Sequence, residues 1–171
     1  LVDHYRVRAT MISTRKVLQI HRFVSRAIDQ KPTITTQGML QILDWTIMRV
    51  QQNKIREEAY PCIFARGAEL FYLISSIRPF RRYNQLTALC AVDWCVRQHG
   101  FGLKALYLDE QQVITERIRR NYREPVLQAS DHFAQEYRYW FFMHSEPISK
   151  QSARSASAIT SISRSLFDLN W

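Results

Sequence analysis

Two apolar segments near the middle of the chain set the strongest limit on its fold. Residues 64–77 and 84–98 contain few charged side chains, and if each segment is a helix, apolar residues lie on nearly all of its faces. A helix without a polar face has to be covered on every side, so both segments are predicted to be central helices of a bundle. The residues between them, 78–83, then form a short loop at one end of the pair. With only four glycines and no sustained strand pattern, the sequence indicates a mainly α fold.

Further helices are expected before this pair. Ser13 and Thr14 can cap a helix that runs to about Gln30, and Thr35 and Thr36 precede a second one. The predicted apolar faces consist of Val17, Ile20, Val24 and Ala27 in the first helix and of Met39, Ile42, Leu43, Ile47 and Val50 in the second.

The chain is expected to continue as helix after the central pair. Gly100 supplies a C-terminal cap for the second central helix, and a polar helix is predicted over 108–123. Pro125 suits the first turn of another helix. Its predicted inner side consists of Val126, Ala129, Phe133, Tyr137 and Trp140. The aromatic run at 137–142 has two interpretations: part of the core or of a subunit interface, or a platform for stacked bases.

The composition changes from Ser145 onward, where eight of the last 27 residues are serine. Such a composition alone favours disorder. The tail also contains apolar residues, among them Ile162, Phe167 and Trp171. We therefore expect a helical domain over 1–144 and a serine-rich tail over 145–171 that docks on the domain or on a partner.

The charge of the chain suggests an anionic partner. The net charge is +9, and 19 of the 24 basic residues are arginine. Arginine matches the geometry of phosphate and carboxylate groups, so RNA, DNA or an acidic protein surface is the expected partner, in a hetero-complex or oligomer. The alternative is that the arginines reflect genome composition and bind nothing specific.

The cysteines and the hydropathy indicate the class of protein. Cys62, Cys90 and Cys95 are an odd number without metal-ligand spacing, which favours free thiols in an intracellular protein, cytoplasmic by default with an organelle left open. No apolar run approaches the roughly 20 residues that a transmembrane helix needs. We expect neither a metal site nor a transmembrane segment.

The most specific pattern lies in the predicted loop and the helix that follows it. Residues 78–88 read Arg-Pro-Phe-Arg-Arg-Tyr-Asn-Gln-Leu-Thr-Ala. This resembles the signature of the Fic/Doc family, His-Pro-Phe-x-Asp/Glu-Gly-Asn-Gly/Lys-Arg-Thr-Ala. The matching residues are Pro79, Phe80, Asn84, Thr87 and Ala88, and the resemblance extends over about 62–103. It implies a Fic/Doc-like helical bundle of the single-domain, death-on-curing type, with this loop at the tip of the central pair.

Members of that family transfer AMP, another nucleotide moiety or phosphate to a hydroxyl of a target protein. The resemblance assigns the general base to position 78, the magnesium-binding acid to 82 and a phosphate-binding arginine to 86. This chain has Arg78, which accepts no proton, Arg82, which repels magnesium, and Leu86, which offers no hydrogen bond. Tyr83 replaces a glycine that lets phosphate approach the backbone. We therefore expect no catalytic residue and no cofactor.

Three functions remain open at this point. The first is a catalytically inactive Fic/Doc-fold protein that serves as a binding or assembly module in a protein complex or ribonucleoprotein. The second is an enzyme of that family that transfers AMP or phosphate with altered residues, for example with His21 or His99 as the base. The third is an unrelated basic helical bundle that binds nucleic acid.

The first function has a candidate site at the loop. Its predicted anion- or partner-binding residues are Arg78, Arg81, Arg82, Asn84 and Thr87, which lie at the N-terminus of a helix where anions are favoured. The structural alternative is that Arg78 pairs with an internal carboxylate such as Glu69 or Asp93 while the other two arginines are merely solvated.

Overall fold

The computed structural model describes residues 12–29, 35–52, 62–104, 116 and 125–148. The described residues are mainly helical, as predicted, with one small antiparallel sheet. In chain order the elements are α1 (Thr14–Asp29), α2 (Gln37–Gln52), α3 (Cys62–Ile77), α4 (Asn84–Arg97), β1 (Phe101–Leu103), α5 (Val126–Met143) and β2 (Ser145–Pro147). None of the helices within these ranges combines the length and apolar character needed to cross a bilayer.

Helices α3 and α4 form the centre of the bundle. Residues 63–75 of α3 are buried apart from Arg66, and residues 86–96 of α4 are buried apart from Trp94. A Cβ atom added to Gly67 would lie 3.0 Å from Cγ1 of Val92, so glycine permits a close approach of the two helices. Gly67 lies about as many residues before the 78–83 loop as Val92 lies after it. The two helices are therefore antiparallel, with the 78–83 loop at one end.

Helices α1 and α2 begin where their caps predict. The backbone N–H of Lys16 donates to Ser13 Oγ, and the N–H of Met39 donates to Thr36 Oγ1, each at 3.2 Å. Helix α1 packs on α4, and α2 packs on α3. Such capping satisfies backbone donors that the first turn leaves without a helical partner.

Two residues of the inner faces predicted for α1 and α2 are exposed. Ala27 of α1 and Ile42 of α2 lie at the edges of their buried stripes, and polar residues lie nearer the centres. His21 is buried in α1, and Thr46 is buried in α2, where its hydroxyl donates to the Ile42 carbonyl at 2.8 Å. The buried faces of α1 and α2 therefore point in slightly different directions from those that the hydrophobic pattern predicts.

Helix α5 covers α3 through an aromatic cluster. Phe133 stacks on Tyr137 with ring centroids 4.3 Å apart, and Phe71 of α3 meets Phe141 edge to face at 5.8 Å. Most of the aromatic run at 137–142 is thus packed in the core, while Tyr139 is exposed. Val126, predicted on the inner side, is also exposed because it is the first residue of the helix.

A short sheet joins the end of α4 to the end of α5. Phe101 pairs with Pro147, and Leu103 pairs with Ser145, in antiparallel register. Gly100 ends α4 with a φ of 83°, as its predicted capping role requires. The first residues of the predicted tail thus form β2, and the tail beyond Ile148 lies outside the described residues. So does the helix predicted over 108–123, apart from Glu116.

Candidate functional site

The loop at 78–83 reverses the chain between α3 and α4 with an unusual backbone. Arg78 has a φ of 53° and Tyr83 a φ of 58°, both in the left-handed region. This conformation costs a residue other than glycine about 1–2 kcal/mol. Tyr83 occupies the position at which the Fic/Doc signature has glycine. Its backbone keeps the conformation that glycine favours, although its side chain is large.

Asn84 holds this loop in shape. Its Oδ1 accepts a hydrogen bond from the Phe80 N–H at 2.9 Å, and its Nδ2 donates to the Phe80 carbonyl at 2.8 Å. The side-chain amide therefore pairs with both backbone groups of one loop residue. The structure gives Asn84 a supporting role in the loop, and its predicted contact with an anion stays a prediction.

His21 of α1 also contacts this loop, on the side that faces the core. Its ring stacks on Phe80 with centroids 3.7 Å apart and an interplanar angle of 13°. Nδ1 lies 3.0 Å from Thr87 Oγ1, and Nε2 lies 3.4 Å from Ser25 Oγ. Burial lowers the pKa of His21 to about 4, so the imidazole is neutral at pH 7.

These contacts limit what His21 and Thr87 can do. His21 is 3% exposed and both of its ring nitrogens face hydroxyl groups, so it has no open path to a substrate. Thr87, predicted as an anion-binding residue, is fully buried beside it. His99 lies just after α4, at the opposite end of the central pair from the loop. Neither histidine is therefore placed to act as a general base at the loop.

The three loop arginines face outward. Arg78, Arg81 and Arg82 are all exposed. Position 86 differs, because Leu86 is 5% exposed and belongs to the core, so it presents nothing to a ligand. The site that the structure assembles is thus a loop held at Phe80 by Asn84 and His21, with three exposed arginine residues immediately before the N-terminus of α4.

The internal carboxylates pair with other arginines. Glu69 is fully buried, with Oε1 3.7 Å from Arg49 Nε, and Arg49 also bonds Asp131 at 3.0 Å. Asp93 accepts hydrogen bonds from Arg97 Nε and, at 2.8 Å, from the Leu103 N–H. Burial still raises the pKa of Asp93, against the lowering effect of these partners. Neither carboxylate is the partner of Arg78 that the structural alternative requires.

The loop does not fit magnesium or a magnesium-bound triphosphate. Residues 78–83 contain three arginines and no carboxylate, which is the wrong charge for a divalent cation. Within the described ranges, no three His, Cys, Asp or Glu side chains are grouped so that they could hold a metal ion.

The described cysteines are not reactive groups. Cys90 and Cys95 are free thiols buried in α4, as predicted. Burial raises the pKa of each to about 12, which keeps them protonated at neutral pH. The side chain of Cys62 lies outside the described residues.

Comparison with known proteins gives no relative for this chain: no family model, curated protein or solved structure matches it. The resemblance to the Fic/Doc signature therefore rests on residues 78–88 and on the helices that flank them. Sequence reasoning located the exposed arginines. It named His21 only as a possible base and missed its place under the loop, which no local pattern could reveal because 66 residues separate it from Thr87.

Proposed function

We propose that this chain is a catalytically inactive protein of the Fic/Doc type that serves as a binding or assembly module for an anionic partner. The observation that carries the proposal is the loop of three exposed arginines, held rigidly before the N-terminus of α4. Positive side chains and the helix dipole act in the same direction there, and both favour a phosphate or carboxylate group. We further propose that the protein acts inside the cell, as part of a larger complex.

The backbone of the loop supports the family part of this proposal. Two buried antiparallel helices are joined by a loop whose last residue, Tyr83, has a glycine-like conformation where the signature has glycine. Asn84, one of the matching residues, fixes the loop through Phe80, another matching residue. Two residues that match the signature, Phe80 and Asn84, thus shape the loop, and positions 78, 82 and 86, which differ, are those to which the signature assigns the chemistry.

The rigidity of the loop also favours a binding function. Phe80 is held by Asn84 on one side and by the His21 ring on the other. A site that is ordered before its partner arrives loses less conformational entropy on binding. Arg78, Arg81 and Arg82 are all exposed on this support.

The test compares two triple variants that remove the same charge. The first replaces Arg78, Arg81 and Arg82 by Gln, and the matched control replaces three exposed arginines of α1, which are Arg15, Arg22 and Arg26. Binding is measured by fluorescence anisotropy with a single-stranded RNA oligonucleotide and with a poly-glutamate peptide, each over a range of salt concentrations. The two probes separate phosphate from carboxylate partners.

The loop variant should lose affinity for at least one probe, and the α1 variant should keep most of it. If RNA is bound, loss of three phosphate contacts should reduce the slope of log K against log salt by about 2. Equal losses in the two variants would show that only net charge matters. Affinity for both probes that does not depend on salt would remove ionic contacts, to phosphate or to carboxylate, as the explanation. Either result would overturn the proposal.

A separate measurement tests the alternative of an altered enzyme. The protein is incubated with ATP labelled in the α or the γ phosphate, in the presence of magnesium and a cell extract. We expect no label on any protein, because the loop has no general base and no acid for the metal. Transfer of label that disappears in the Arg78, Arg81, Arg82 variant would show catalysis and refute the inactive assignment.

A further inference from the structure

A second group of basic side chains lies at the other end of the central helix pair. Arg66 is on the first half of α3, and His99 follows the last residue of α4 by two positions. Because the two helices are antiparallel, this end of α3 lies beside the end of α4, away from the 78–83 loop. The two residues are thus brought together by the fold, although 33 positions separate them in sequence.

Both residues contain a buried nitrogen that lacks a hydrogen-bond partner. These atoms are Arg66 Nε and His99 Nε2, each shielded from solvent. Buried nitrogens of this kind are rare in proteins, because leaving a buried donor without an acceptor costs free energy. The charge of Arg66 acts on the His99 ring, so the two groups are neighbours, and their unpaired nitrogens indicate a shared acceptor.

The chemistry of the two groups specifies that acceptor. A guanidinium is a donor only, and a neutral imidazole donates from one nitrogen. Burial and, second, the charge of Arg66 lower the pKa of His99, so its ring is neutral at pH 7. A metal ion is disfavoured because Arg66 is positively charged. An oxyanion accepts from both nitrogens when Nε2 carries the imidazole proton, and it also balances the charge of Arg66.

The nearby acid on α4 does not fill this role. Asp93 accepts from Arg97 through one oxygen and from the Leu103 N–H through the other. No ion pair joins Arg66 to a carboxylate within the described part of the chain. The positive charge of Arg66 is therefore not neutralised by the acid that lies closest to it along α4.

We propose that Arg66 and His99 form a binding site for one oxyanion, a phosphate or a carboxylate group, at the end of the α3–α4 pair opposite the arginine loop. The guanidinium supplies the charge and the Nε donor, and the imidazole supplies a second donor from Nε2. This site is independent of the function proposed for the loop, and either can exist without the other.

The test is an NMR titration of the full chain with inorganic phosphate and, in a second arm, with acetate, at pH 7.5 and constant ionic strength. Imidazole signals of His99 and the Nε–H signal of Arg66 should shift together and saturate. The pKa of His99 should also rise when the anion is bound, because a neighbouring negative charge favours the imidazolium. The arm that saturates at the lower concentration identifies the preferred oxyanion.

Variants establish that the two residues are responsible. Arg66→Gln should weaken the apparent affinity by at least about tenfold, since it removes a charge-assisted hydrogen bond. Arg15→Gln, which removes the same charge from an exposed position of α1, should leave the titration unchanged. Circular dichroism checks that each variant is folded.

Two results would overturn the proposal. One is the absence of any saturable shift at His99 in either arm with the unaltered protein, which is expected if a water molecule satisfies both nitrogens. The other is an equal loss of affinity in Arg66→Gln and Arg15→Gln, which would show a general effect of charge. The first result is independent of whether any variant folds, and neither depends on RNA or peptide binding at the loop.

Discussion

Acidification from pH 7 to pH 5 should reduce the contribution that one buried side chain, His21, makes to the stability of the protein. The ring is stacked on Phe80 and faces the hydroxyl groups of Thr87 and Ser25, with 3% of its surface exposed. Protonation would place a charge in this environment, where little water can solvate it. The folded state therefore favours the neutral ring, and an added proton favours the unfolded state.

The size of the effect follows from the two pKa values. Burial lowers the pKa of His21 from 6.5 to about 4 in the folded protein. As the pH falls, the unfolded chain takes up the proton first, so stability is lost from about pH 6.5 down to the folded-state pKa. Because protonation and unfolding are linked, His21 should lower the free energy of unfolding by about 2 kcal/mol between pH 7 and pH 5.

The assay is urea unfolding at both pH values for the unaltered protein and for His21→Gln. The variant has no titrating group at this position, so its free energy of unfolding should fall by about 2 kcal/mol less than that of the unaltered protein. Contributions from His99 and Asp93 are common to both proteins and cancel in the difference. Gln19→Ala, at an exposed position of α1 without a titrating group, is the control and should show the pH dependence of the unaltered protein.

Two outcomes would refute this reasoning. The first is the same pH dependence in His21→Gln and in the unaltered protein. The second is an NMR titration in which the His21 ring signals of the folded protein have their midpoint near 6.5 instead of about 4. The NMR result decides the matter even if the Gln variant is too unstable to be measured.

Three further perturbations test the loop and the ion pairs. Asn84→Ala removes both bonds to the Phe80 backbone and should lower the free energy of unfolding by about 1–3 kcal/mol, measured in urea; an unchanged midpoint would contradict the role of Asn84 in the loop. Arg49→Met leaves a buried carboxylate of α3 without its guanidinium and should cost about 3 kcal/mol. Asp131→Asn, at the more exposed end of that network, should cost at most about 1 kcal/mol, and equal losses would contradict the difference in burial. Arg78→Gly places glycine at a position with left-handed backbone, which glycine adopts at lower cost. The variant should unfold at a higher temperature, by an amount equivalent to at most about 1 kcal/mol, and should bind anions more weakly. A lower unfolding temperature would show that the arginine side chain supports the fold.

The sequence predicted the helices of the described part of the chain well, because their signals are local. Ser13 and Thr36 cap the helices that they were expected to cap, and Gly100 ends α4. The apolar content of the segments at 64–77 and 84–98 was sufficient to place them at the centre of the bundle. The inner faces of α1 and α2 were predicted less accurately. Ala27 and Ile42 lie at the edges of the buried faces, whose direction depends on how the helices pack.

Features that depend on distant pairing were not predictable. The β1–β2 sheet consists of two strands of three residues each, on opposite sides of a long intervening segment, and no pattern marks strands that short. The pairing of Glu69 with Arg49, and not with Arg78, depends on the position of α2 against α3. Both are decided by tertiary packing, which a reading of local residue patterns does not include.

The loop combines an unfavourable backbone with a cluster of exposed arginines, and the contacts of its neighbours explain how this is possible. Left-handed backbone at Arg78 and Tyr83 is unfavourable for these residue types, so it has to be held by other interactions. Asn84 and the His21 ring both act on Phe80, and none of these three residues needs to contact a ligand to do so. Arg78, Arg81 and Arg82 are exposed, and none of them makes these contacts with Phe80. Shape and charge are thus determined by different residues, so the charge that the loop presents does not depend on the side chains that hold its backbone.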